Sequence, residues 1–138
     1  IHLPGHTAGS IGLYCHEKRL LYVGDAMNCF VWLFLPEAQS LDTYINTLHK
    51  AAKLPFTHMI QSHEPDPVPK RRLWDYLDLA EHLDFERGPL VPAPLGYQGE
   101  TRICTRNGIH YDDREHPGFA AMMISREKTG NLEEHYHD

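Results

Sequence analysis

The sequence predicts an α/β fold, in the form of an α+β sandwich, and three observations support this prediction. Short strand patterns open the chain, two amphipathic helix patterns follow, and further strand patterns lie between proline-rich and glycine-rich segments. The 138 residues are enough for one domain that buries roughly two thirds of the surface of its unfolded chain. With 41% apolar and 23% charged residues, the composition is typical of a globular domain.

The first two elements are predicted to form an antiparallel hairpin. Residues 10–15 (SIGLYC) and 20–25 (LLYVGD) are rich in β-forming side chains, and the polar sequence HEKR separates them. Asp25 therefore lies at the carboxyl end of a strand.

The first helix is predicted from Ser40, the N-cap, to about Lys53. The preceding residues 26–36 (AMNCFVWLFLP) show no clean alternation and indicate a loop or a short element. Apolar residues recur in the helix at steps of three and four, which marks one buried face. They are Leu41, Tyr44, Ile45, Leu48, Ala51 and Ala52.

A short strand (THMIQ) and a second helix are predicted next. The segment SHEPDPVP between them contains three prolines and cannot be helical, so His63 follows the end of a strand. Pro69 suits the first turn of the helix, which is expected to end at about Glu86. Its apolar positions are Leu73, Trp74, Leu77, Ala80 and Leu83.

The last third of the chain is predicted to be a proline-rich extended segment (GPLVPAPLG) followed by a small β appendage. TRICT and IHYDD are expected to pair as a hairpin closed by Asn107 and Gly108, and GFAAMMIS to form one more strand.

Charge and hydropathy exclude several classes of function. A net charge of −6 and a pI near 6.0 oppose nucleic-acid binding, and the basic cluster KRR at 70–72 is interpreted as a solvated helix face. No apolar run approaches the roughly 20 residues of a membrane span. Cys15, Cys29 and Cys104 are widely spaced and include no CxxC pair, which favours a reducing cytoplasm over a disulfide scaffold or zinc ribbon.

Three residues are candidate metal ligands because each lies in a loop beside a strand. His6, Asp25 and His63 would converge if their strands end at the same edge of a sheet. Two imidazoles and a carboxylate suit zinc, in one or two ions, and also iron.

These residues lie in segments that resemble the C-terminal half of a metallo-β-lactamase superfamily hydrolase. The resemblance covers roughly residues 1–83 and rests on PGHTAGSIGLY, LLYVGDAM, a helix, and a strand ending in SHEP. It implies a four-layer αβ/βα sandwich, with residues 1–87 as the C-terminal half of the hydrolase domain and 88–138 as a proline-rich and β-hairpin extension of it. It also implies that His6 completes the ligands of the first metal, Asp25 bridges both metals, and His63 binds the second.

The HxHxDH motif of that family is absent. The nearest sequence, EEHYHD at 133–138, ends the chain and is interpreted as a coincidence. The chain also begins inside an apparent strand, so we expect a fragment of a longer reading frame that is inactive or weakly active without a missing N-terminal half.

The aromatic stretch after Asp25 has two interpretations. Phe30, Trp32 and Phe34 could line a substrate site, or they could pack against the missing half. Asn28 is a candidate for polarising a substrate carbonyl. His110 and His116 are weaker candidates for substrate contacts.

The resemblance and the ligands together predict a metal-dependent hydrolase of small acyl substrates, namely an ester, thioester or lactone. Asp25 would orient a metal-bound hydroxide, because a metal lowers the pKa of bound water from 15.7 to about 7. RNA is disfavoured by the acidic charge. Two alternatives are a non-catalytic half-domain that self-associates or binds a partner, and passive metal binding by a chain with 11 histidines.

Overall fold

The structure, a computed structural model, describes residues 1–130, and within them it contains two α-helices and two four-stranded sheets. The helices are α1 (Leu41–Ala52) and α2 (Arg72–Glu81). The strands are β1 (Leu13–Cys15), β2 (Leu20–Gly24), β3 (Phe30–Leu33), β4 (His58–Gln61), β5 (Val68–Pro69), β6 (Leu90–Val91), β7 (Thr101–Thr105) and β8 (Ala121–Ser125).

The first sheet has the order β1-β2-β4-β5. The predicted hairpin of β1 and β2 is confirmed, with Leu13 opposite Tyr22. Strands β2 and β4 are parallel, and the last residue of each, Gly24 and Gln61, stand side by side. Parallel strands deliver the residues that follow them to one edge of the sheet.

Helix α1 agrees with its prediction at both ends. The Ser40 hydroxyl accepts a hydrogen bond from the Thr43 N–H and satisfies a donor that the helix leaves unpaired. Leu41, Tyr44 and Leu48 are buried in a core cluster that contains residues of both sheets and of α2.

Helix α2 is shorter than its prediction. Pro69 lies in β5, which pairs antiparallel with β4, and the helix starts only at Arg72. Its last residue is Glu81, and a single 3-10 turn at Phe85–Arg87 follows after a break. Asp84 falls on the apolar face, four residues after Ala80, and its side chain accepts the Glu86 N–H and caps the 3-10 turn instead.

The second sheet has the order β3-β8-β7-β6 and corrects one prediction. The stretch 26–36 contains a short element, as expected, which is strand β3 and pairs in parallel with β8. The predicted hairpin of TRICT with IHYDD is wrong: β7 pairs with β8, and residues 109–113 form no strand. Asn107 and Gly108, both with positive φ, instead turn the chain into a long connection between these strands.

One continuous core joins the two sheets. Val23 and Met59 of the first sheet, Tyr76 of α2 and Met122 of β8 belong to a single buried cluster. A smaller cluster around Phe119 covers the opposite face of the second sheet. The molecule is therefore a mixed α and β fold, and none of the helices within residues 1–130 has the length and apolarity to cross a bilayer.

Candidate functional site

The ends of β2 and β4 bring Asp25 and His63 together. A hydrogen bond of 3.0 Å from the Ser62 N–H to the Gly24 carbonyl continues the strand pairing past Gln61. The His63 Nε2 then lies 3.6 Å from the Asp25 Oδ1. Both side chains are exposed, His63 by 84%, so a ligand can reach them from solvent.

The backbone at this edge adopts an uncommon conformation at two positions. Gly24 has φ of +55° and His63 has φ of +68°. Glycine takes such a conformation freely, whereas a residue with a Cβ pays for it in strain, and histidine is among the residues found there more often than most. His63, the residue that carries this strain, faces Asp25. Backbone strain of this kind is concentrated at functional sites.

His6 is held apart from this pair, against β3. Its Nδ1 lies 2.9 Å from the Trp32 carbonyl oxygen. A carbonyl only accepts hydrogen bonds, so Nδ1 carries the proton and the lone pair of the neutral ring lies on Nε2. Metal-ligating histidines show this same arrangement, with the second ring nitrogen donating to a carbonyl or carboxylate.

The loop that carries His6 is anchored mainly to α1 and its N-terminal approach. The buried Thr47 hydroxyl donates to the Pro4 carbonyl, and the Gln39 N–H donates to the Gly5 carbonyl at 2.7 Å. Gly5 packs on Tyr44, where a Cβ would come within 2.9 Å of the ring. The need for glycine at this position is therefore explained by its φ of +154° together with the Tyr44 ring.

Thr7 and Ser10 lie beside His6 in sequence, but their hydroxyls bond to each other at 2.7 Å. The partner of the His6 ring is the Trp32 carbonyl, which sequence reasoning missed because it depends on where β3 lies.

Protein-family models and curated proteins give no match to this chain. The superfamily resemblance therefore rests on the sequence motifs alone. Within the described range 1–130, no three His, Cys, Asp or Glu side chains are grouped closely enough to hold a metal ion. Asp25 and His63 form a pair, and His6 is not grouped with them.

The candidate substrate-contacting residues have structural partners. The Asn28 Oδ1 accepts a hydrogen bond of 2.7 Å from the Phe30 N–H. Phe30 packs near Phe119, with ring centroids 6.4 Å apart, and Trp32 packs on Phe34 at 5.4 Å. The aromatic stretch therefore contributes to packing inside this chain, while Phe30 and Trp32 stay half-buried and Phe34 is fully buried.

Further polar groups next to the Asp25–His63 pair were not anticipated from the sequence. The Cys29 thiol lies 3.9 Å from Glu64, the neighbour of His63. Beneath the pair, the buried Gln61 amide donates to the Tyr76 hydroxyl at 3.0 Å. Burial raises the pKa of Tyr76 to about 12 and also raises the pKa of Tyr44, so both phenols stay protonated.

The histidines outside the candidate ligand set have local roles. His110 Nδ1 accepts from the Asp112 N–H at 3.1 Å, and His116 Nδ1 accepts from the Gly118 N–H at 3.0 Å. The sequence EEHYHD at 133–138 lies outside the described residues.

Proposed function

We propose that this chain is part of a metal-dependent hydrolase of small acyl substrates. The observation that carries the proposal is the Asp25–His63 pair at the ends of two parallel strands. Ligand atoms that bind one tetrahedral zinc ion at about 2.1 Å lie about 3.4 Å apart. The observed 3.6 Å between Nε2 and Oδ1 is compatible with this spacing.

The chain provides three candidate ligands for such a centre, of which two lie together and one lies apart. Asp25 and His63 fit as two ligands. The His6 Nδ1 donates to the Trp32 carbonyl, which leaves Nε2 as the ring atom for a metal, but His6 is not grouped with the pair. Zinc supplies Lewis acidity and lowers the pKa of a coordinated water when it is bound, and iron is the alternative metal. Asp25, as a carboxylate, would accept a proton or a hydrogen bond from the attacking water and so orient it.

The segment that follows Asp25 in the sequence offers groups that suit an acyl substrate. Because the Asn28 Oδ1 already accepts the Phe30 N–H, its amide Nδ2 is the group left to donate to a substrate carbonyl. Phe30 and Trp32 remain half-buried and provide apolar contact area. An ester, thioester or lactone combines these features, and the net charge of −6 disfavours RNA.

Zinc content and affinity test the metal centre directly. We expect near-stoichiometric zinc by elemental analysis and competition with a chelator, and we expect Asp25→Ala and His63→Ala to lose it. Asp66→Ala is the matched control, because Asp66 is an exposed carboxylate three residues after His63. The proposal would be contradicted if the chain bound no zinc, or if Asp25→Ala bound zinc as the wild type does. A stoichiometry well above two zinc ions per chain would favour passive binding by histidines.

A second candidate function is self-association, and the outer face of the first sheet favours it. Leu13 is 64% exposed and stands opposite Tyr22, and Ile11 lies two residues earlier on the same face at 60% exposure. An exposed apolar sheet face of this kind is typical of an interaction surface. Monomeric sedimentation without binding of a hydrophobic dye would contradict this candidate, and a dimer dispersed by Leu13→Lys would support it.

A reducing cytoplasm is the compartment we propose. Cys15, Cys29 and Cys104 are all free thiols. Burial raises the pKa of the Cys104 thiol to about 11, which keeps it protonated and unreactive.

A further inference from the structure

Two cations from distant parts of the chain meet at the end of the first sheet where β2 and β4 begin. Arg19 directly precedes β2, and Lys70 directly follows β5. The Arg19 Nε–H donates to the Pro55 carbonyl at 3.1 Å, and the Lys70 ammonium donates to the Leu54 carbonyl. Because Leu54 and Pro55 are consecutive residues, these contacts hold the two positive charges close together.

Backbone contacts fix both cations in place. The Thr57 N–H donates to the Arg19 carbonyl at 2.8 Å, and the Lys70 N–H donates to the Thr57 carbonyl at 2.9 Å. The Lys70 ammonium also lies 4.6 Å from the centroid of the Phe56 ring, within the range of a cation–π interaction. Arg19 has φ of +54°, a conformation that glycine or asparagine adopts with less strain. The arginine at this turn is therefore explained by its side chain and not by its backbone.

Neither cation is neutralised by a carboxylate. Within residues 1–130, Arg19 and Lys70 make no ion pair. Burial lowers the pKa of Lys70, and the positive charge of Arg19 lowers it further. Two like charges held together in this way repel each other, and a bound anion would relieve the repulsion.

Both side chains keep hydrogen-bond donors for a ligand. Arg19 uses only Nε in the described part of the chain, so both terminal nitrogens of its guanidinium fork are free of protein contacts. Lys70 uses one of its three donors, on the Leu54 carbonyl. A planar fork beside an ammonium group matches the several oxygens of a phosphate group.

This cation pair is separate from the candidate metal centre. Asp25 follows the end of β2, whereas Arg19 precedes its start. A strand of five residues, as β2 is, places its two ends about 13 Å apart.

We propose that Arg19 and Lys70 bind the phosphate group of a small phosphorylated ligand. The inference goes beyond the proposed hydrolase and does not depend on it. The guanidinium fork donates to two phosphate oxygens, and the ammonium donates to a third. A single phosphate suits this site better than a nucleic acid, because the net charge of −6 repels an extended polyanion.

Phosphate binding can be measured in metal-free buffer, where no metal at Asp25 and His63 can bind phosphate. Inorganic phosphate is titrated at constant ionic strength against chloride, and the backbone amide signals of Arg19, Thr57 and Lys70 are followed by NMR. We expect saturable shifts, with an affinity at least tenfold weaker in Arg19→Gln and in Lys70→Gln, because each variant loses charge-assisted hydrogen bonds. Equal binding by wild type and Arg19→Gln would overturn the proposal.

Arg114→Gln is the matched control. Arg114 is an exposed arginine in the connection between β7 and β8, and the substitution removes the same charge. We expect this variant to bind phosphate as wild type does, and a loss equal to that of Arg19→Gln would overturn the proposal by assigning the effect to net charge. Arg19 is exposed, so Arg19→Gln decides the outcome even if circular dichroism shows that Lys70→Gln does not fold.

The size of the ligand is tested with methyl phosphate and a single-stranded oligonucleotide under the same conditions. We expect methyl phosphate to displace inorganic phosphate from the site, and the oligonucleotide to bind no more tightly than methyl phosphate. An oligonucleotide that bound more tightly would overturn the assignment to a small ligand.

Discussion

At the scale of single residues, the loop that carries His6 depends on a glycine. Gly5 has φ of +154°, and a Cβ there would approach the Tyr44 Cδ1 to 2.9 Å. Tyr44 is only 1% exposed, so its ring has little room to move. We expect Gly5→Ala to lower the free energy of unfolding by about 1–3 kcal/mol, measured by urea denaturation.

The matched control for this substitution lies in the same loop. Gly9 has no atom within 4 Å of the position that a Cβ would occupy, and its φ is not in the positive region. Gly9→Ala should therefore change the free energy of unfolding by less than about 0.5 kcal/mol. Equal effects of the two substitutions would show that the close approach of Gly5 to Tyr44 is not what restricts this position.

At the scale of elements, a charged cluster fastens the 3-10 turn Phe85–Arg87 to the second sheet. Arg126 donates to Glu86 at 2.7 Å and to Glu100 at 3.0 Å, and its guanidinium lies over the Phe85 ring. Hydrogen bonds from Arg126 hold the pKa of both carboxyl groups below the ordinary value of 4.5. These pairs join segments that lie far apart in the sequence.

A depressed pKa in the folded state gives this cluster a defined pH dependence. The stabilisation is present above the ordinary pKa of 4.5 and is lost as pH falls through the lower folded value. We expect the double substitution Glu86→Gln/Glu100→Gln to lower Tm at pH 7, and the difference from wild type to shrink as the pH falls below 4.5. Glu115→Gln, which alters an exposed carboxylate, should show no such trend, and a difference that is constant with pH would contradict the assignment.

The helices and strands also show which parts of the fold the sequence alone can predict. Helix α1 was predictable because its cap at Ser40 and its apolar periodicity are local properties. The pairing of β7 with β8 was not, because the chain between them contains Asn107 and Gly108, which imitate a tight hairpin turn. Partner choice between strands depends on side chains distant in sequence, here those that bury Ile103 and Phe119 together.

In the candidate site too, some features follow from local sequence and others depend on contacts between distant segments. Asp25 and His63 were predictable as neighbours because each follows a strand, and those strands are parallel. The hydrogen-bond partner of His6 was not predictable, because the Trp32 carbonyl belongs to strand β3, whose position depends on pairing with β8.

At the scale of the whole molecule, the two sheets share one core. Residues of β2, β4 and α1 pack in the same cluster as residues of β3, β7 and β8. The Lys128 ammonium also donates to the Ala38 carbonyl at 2.7 Å, which ties the segment after β8 to the approach to α1. Separating the sheets would expose apolar surface on both, so neither sheet should be stable without the other.

Two tryptophans allow this cooperativity to be tested. Trp32 lies on β3 of the second sheet, and Trp74 lies on α2, whose Tyr76 accepts a hydrogen bond from Gln61 of β4 in the first sheet. We expect Trp32→Phe and Trp74→Phe each to show one urea transition, in which the fluorescence of the remaining tryptophan coincides with the far-ultraviolet circular dichroism. The two variants can differ in midpoint, but within each variant the two probes must agree. A fluorescence transition of Trp32 that precedes the loss of helical signal would mean that the second sheet unfolds by itself, and that residues 88–130 add to a core that is already stable.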